Sequence, residues 1–60
     1  MKFAKYWKSL NKKEKERLAA RMGTTYNYLS NIANGHRNAG PTVLRRIEPA
    51  TRGQVKVNEI

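Results

Sequence analysis

The sequence contains no cysteine. That excludes disulfide staples, cysteine-ligated zinc and thiol nucleophiles, and it fits a reducing compartment. Acidic side chains are nearly as scarce: Glu14, Glu16, Glu48 and Glu59 are the only four, and no two form a pair with catalytic spacing. No apolar run approaches the roughly 20 residues of a membrane span, and the segment after Met1 lacks the apolar stretch of a secretory signal. A cytoplasmic protein without a membrane partner is therefore expected. Length is the last shortage. At 60 residues, only about 60% of the unfolded surface can be buried, so a single domain over residues 1–60 is expected, without an enclosed catalytic pocket. The lone histidine, His36, stands beside Arg37 with no second ligand in view. No metal, cofactor, small-molecule ligand or enzyme activity is expected.

What is present is positive charge. Thirteen Lys and Arg give a net charge of +9. Nothing between Arg17 and Ile47 is negative, and that stretch holds Arg17, Arg21, His36, Arg37, Arg45 and Arg46. Lys2, Lys5, Lys8, Lys12, Lys13 and Lys15 crowd the first quarter. Solubility of a small domain needs a net charge of roughly 2 to 8. The excess points to a polyanionic partner, nucleic acid first.

The apolar pattern, at 38% of residues, reads as short helices. Phe3, Trp7 and Leu10 make one stripe of a first amphipathic helix. Asn11 with Glu14 three residues on has the form of a capping box, opening a second helix from Lys12 to Met22 with Leu18, Ala19 and Met22 inward. Gly23 ends it. Lys12 and Lys13 sit at the positive end of that helix, where either they mark a phosphate site or Glu14 and Glu16 simply offset them. Thr25 is the N-cap of a third helix, Tyr26 to Ala33, closed by Asn34-Gly35. Pro41 begins a fourth helix carrying Val43, Leu44 and Ile47, and Pro49 bends or ends it. Thr51-Arg52-Gly53 reads as a turn. Val55 and Val57 alternate with polar residues as a short extended segment. The expected fold is mainly α, a small bundle of four to five helices.

At about 100° per residue, Leu29 and Ile32 mark the inner side of the third helix, and Asn27, Ser30 and Asn31 point the opposite way. Tyr26 and Tyr28 flank the edges. A charge-free polar helix face inside a strongly basic chain is the most informative local fact here. Two short helices joined by a Gly turn, the second with such a face, form a helix-turn-helix. Cations attract phosphates without regard to sequence, whereas amides and hydroxyls match base edges, Asn suiting adenine. Thr25, Tyr26, Asn27, Ser30 and Asn31 are the candidate base readers. Tyr28 either joins them or packs against Ile32. For Asn27 and Asn31 the rival reading is ordinary exposed surface.

Residues Lys15 to Gly35 resemble the helix-turn-helix of phage Cro and CI repressors, and Pro41 onward is similar to short Cro-like and YdaS-like prophage regulators. The resemblance implies a repressor that binds a double-stranded operator as a homodimer; dimer symmetry makes that operator palindromic, and the lack of a large apolar patch beyond the core points to a dimer that forms only on DNA. It also implies that the start of the third helix and the following loop touch DNA. The loop positions are Asn34, His36, Arg37 and Asn38, and Lys15 falls on a further contact position. With Lys12 and Lys13 these make the candidate phosphate contacts. Relatives commonly continue the fourth helix where this chain has Pro49. Two other readings stay open: a prophage antitoxin-like regulator, and a non-specific polyanion-binding or interaction module.

Overall fold

The stripe of Phe3 and Trp7 folds as α1, Phe3–Ser9, with both rings buried. A computed structural model describes residues 1–60. Three further α-helices follow, α2 at Lys12–Arg21, α3 at Tyr26–Ala33 and α4 at Pro41–Ala50, with a closing 3-10 turn at Val57–Glu59. The expected mainly α bundle is observed, without strands.

Local chemistry sets the helix ends. Glu14 N–H donates to the Asn11 side-chain oxygen at 2.8 Å, and Asn11 N–H donates to Glu14 Oε1 at 3.0 Å, completing the capping box. Tyr28 N–H donates to Thr25 Oγ1 at 3.2 Å at the start of α3. Three helices stop by the same device. After α2, Gly23 N–H reaches the Ala20 carbonyl and Thr24 N–H that of Ala19. After α3, Gly35 reaches Ile32 and His36 reaches Asn31; after α4, Arg52 reaches Pro49 and Gly53 reaches Glu48. This paired closure needs a left-handed residue just past the helix, normally glycine. Gly23 and Gly35 supply it at φ 65° and 79°. In the third instance Arg52 takes that conformation, at φ 55°, where an L side chain costs about 1–2 kcal/mol.

Phe3, Trp7, Leu18, Ala19, Met22, Leu29, Ile32, Val43 and Ile47 form the core with Ala50 and Val55. α3 packs on both α1 and α2, and the 3-10 turn packs on α4. Arg46 extends from α4 to donate to the Met22 carbonyl at 3.3 Å, satisfying one of the free carbonyls at the end of α2. A Cβ built on Gly23 would meet that guanidinium at 2.5 Å.

Several expectations need correction. Leu10 is half-buried against the core, and Leu44 is half-buried but lies outside the core cluster. Met22 is the C-cap of α2, just past its last helical residue. α4 passes through Pro49 and ends one residue later, because Thr51 and Gly53 N–H groups still reach the Ile47 and Glu48 carbonyls. Val55 and Val57 do not form an extended segment. The left-handed Arg52 and Gly53 fold the chain back so that Val55 N–H meets Thr51 Oγ1 at 3.1 Å. Val55 is thereby fully buried, while Val57 is 45% exposed at the start of the 3-10 turn. Met1 seals this end, its ammonium donating to the Gln54 carbonyl and to Glu59 Oε2, each at 2.8 Å.

Candidate nucleic-acid interface

α3 is eight residues long, about 12 Å of helix, a length that lies within the width of a B-DNA major groove. Leu29 and Ile32 are buried and hold it against the core. Asn27 and Asn31 are exposed on the other side, and Ser30 is half-exposed between them. Asn34 Nδ2 donates to Ser30 Oγ at 3.4 Å, a loose contact that continues this polar row past the helix end. Thr25 is exposed, although its oxygen already caps the helix.

Tyr26 is placed differently. Its ring packs on Trp7, with centroids 5.4 Å apart and planes at 58°, and its side chain is half-buried. Tyr28 also has a structural task. Its hydroxyl accepts the Gly40 N–H at 3.0 Å, tying α3 to the residue that precedes α4. Its ring carries the Arg37 guanidinium 5.0 Å from the centroid. That distance is within reach of a cation–π contact, which restrains the arginine without neutralising it. Periodicity placed Tyr28 at the edge of the helix, and no local pattern signals that its hydroxyl reaches a backbone twelve residues away.

The expected phosphate contacts divide between two places. Lys12 and Lys13 are exposed at the start of α2. Lys15 is half-buried and rests over Trp7, its Nζ 5.4 Å from the ring centroid. Asn34, His36, Arg37 and Asn38 are exposed in the turn beyond α3. Trp7 lies between the first group and the start of α3, in contact with both Lys15 and Tyr26.

Electrostatics leave these cations available. The one ion pair in the molecule joins the amino terminus to Glu59, so no Lys or Arg side chain is neutralised by a carboxylate. That ammonium and the Lys56 N–H hold the Glu59 carboxyl below its usual range. No group of three or more His, Asp or Glu side chains is placed to hold a metal ion. No helix is long and apolar enough to cross a membrane.

Comparison with known proteins agrees with this geometry. A family model described as helix-turn-helix matches residues 8–51, which includes α2, α3 and α4 whole. A prophage transcriptional regulatory protein of Escherichia coli (strain K12) is 31% identical over 55 residues, spanning 92% of this chain and 83% of that protein. No solved structure matches. The chain belongs to the helix-turn-helix family and is a phage-type DNA-binding regulator.

Proposed function

We propose that this protein is a Cro-type transcriptional repressor that binds a palindromic operator as a homodimer, with α3 in the major groove. The observation that carries the reading is the outward face of α3. Asn27 and Asn31 are exposed and uncharged there, in a chain of net charge +9 whose lysines and arginines have no acidic partners. The prophage regulator that shares 31% identity supports a role in transcription. One α3 of this length reads one half-site. Two copies related by a dyad would read half-sites about 34 Å apart, one duplex turn. Contact with DNA implies work in the cytoplasm of a bacterial host.

Asn27, Ser30 and Asn31 are the base readers in this scheme, with Thr25 at the helix entrance. Tyr26 contributes only its outer edge, because Trp7 covers the ring. Lys12, Lys13, Lys15, Asn34, His36, Arg37 and Asn38 supply backbone contacts.

Selection of bound sites from a random DNA pool tests the proposal, and a palindromic enriched motif is the expected result. On that motif Asn27→Ala should cost about 1–3 kcal/mol while changing binding to random DNA little. Equal losses on both would overturn base reading by α3. Arg37→Ala should weaken binding to every sequence and lower the salt slope by roughly one unit. An unchanged slope would remove Arg37 from the backbone contacts.

A further inference from the structure

A second basic feature lies on the other side of α2. Arg17 and Arg21 stand one helical turn apart, and with Arg52 from the turn after α4 they line a recess of about 270 Å³. None of the three has a carboxylate partner. The recess also has an apolar floor, made by Tyr6, Leu10, Leu18 and Ala50. Glu14 is its one acid, and one oxygen of that carboxylate is occupied by the Asn11 N–H.

No residue of α3 or of the loop after it lines this recess. At about 100° per residue, Arg17 and Arg21 lie some 120–160° around α2 from Lys15, the side chain that rests over Trp7. α3 and the loop after it therefore stay outside the recess, and Lys13, one turn before Arg17 on α2, is the one expected phosphate contact on its side. Arg52 strengthens the case. The helix closures after α2 and α3 use glycine at the left-handed position, and only the one beside this recess carries a guanidinium.

We propose that this recess docks an acidic segment of a partner protein, with carboxylates against Arg17, Arg21 and Arg52 and an apolar side chain on the floor between them. Charge complementarity selects the acid. The floor separates a peptide from a nucleic-acid backbone or a free anion, neither of which has an aliphatic side chain to place there. The site is independent of the operator reading, so either can fail without the other.

The test titrates the full-length chain with a Leu-Glu-Glu repeat peptide, followed by amide NMR shifts, with a Ser-Glu-Glu repeat of equal length as control. Shifts should gather at Leu10, Leu18, Ala50 and Gln54, and the serine peptide should bind more weakly. Each guanidinium removed should weaken the leucine peptide by about threefold, and R17Q/R21Q/R52G together by roughly tenfold or more. R52G alone places glycine in a left-handed position that suits it, so its loss of binding cannot be ascribed to unfolding. Equal binding of the two peptides would overturn the proposal, as would shifts centred on Asn27 and Asn31. A fall in affinity of the triple variant for a mixed-sequence duplex, as large as that of Arg37→Ala, would assign the three arginines to DNA instead.

Discussion

Between Asn11 and Gly35 the chain is held by neighbours: Asn11 and Glu14 cap each other, Thr25 caps α3, and Gly23 and Gly35 close α2 and α3. From Thr51 to Ile60 the means are different. Thr51 is 1% exposed, and its hydroxyl donates to the Ile47 carbonyl at 2.7 Å while accepting the Val55 N–H. The far end of the segment is tied to Met1, 58 residues away in sequence. The helix-turn-helix thus carries its own instructions, whereas the tail depends on one buried hydroxyl and on a contact between the chain ends. The two should answer differently to substitution.

The largest effect is expected inside the helix-turn-helix. Leu29 is fully buried at the centre of α3, and Leu29→Ala should cost about 2–5 kcal/mol. That is comparable with the whole stability of a domain of this length, about 3–9 kcal/mol. Thermal melting followed by circular dichroism should show a low or absent transition; a melting point near that of the parent would mean that α3 does not need its core contact. Thr51→Val should come next. It keeps the volume but strands the buried Val55 N–H, at about 1–3 kcal/mol. Hydrogen exchange should then rise over residues 51–60 while α2 and α3 remain protected, and a uniform rise would show that the two regions unfold together.

Glu59 provides the smallest effect and the sharpest pH signature. Its carboxyl is held below the usual range first by the Met1 ammonium and then by the Lys56 N–H. A depressed carboxylate contributes stability that is complete above the unfolded-state pKa and is lost as pH falls through the folded value. Melting temperature should therefore fall in acid, and Glu59→Gln should lower it slightly at neutral pH, flatten part of the fall, and meet the parent in acid. Identical acid profiles for the two proteins would show that the clamp between chain ends does not stabilise the tail.

The same contrast explains which parts of the molecule are legible from residues alone. The ends of α2 and α3 depend on side chains within four positions, so Asn11, Gly23, Thr25 and Gly35 identify them directly. The outward face of α3 follows from helix geometry, because Leu29 and Ile32 leave only one direction for the core. Tyr26 is harder to place, since the ring that covers it belongs to Trp7 on another helix. The tail is harder still. Val55 and Val57 alternate as a strand would, yet a strand needs a partner, and the Thr51 hydroxyl captures Val55 first. Nothing in the local pattern marks Arg52 as the left-handed residue, because glycine follows it immediately.

Tyr28 joins α3 to the loop by two attachments, one through its hydroxyl to Gly40 and one through its ring to Arg37. Gly35 and His36 are already fixed by the closure of α3, and the two Tyr28 attachments hold the loop beyond them, at Arg37 and Gly40. With them, the outward face of α3 and the Arg37 guanidinium keep a fixed spacing, and in the proposed docking the two would arrive together. Less freedom is lost at the moment of contact. In that docking Tyr28 would govern how firmly the protein grips DNA through the residues it holds.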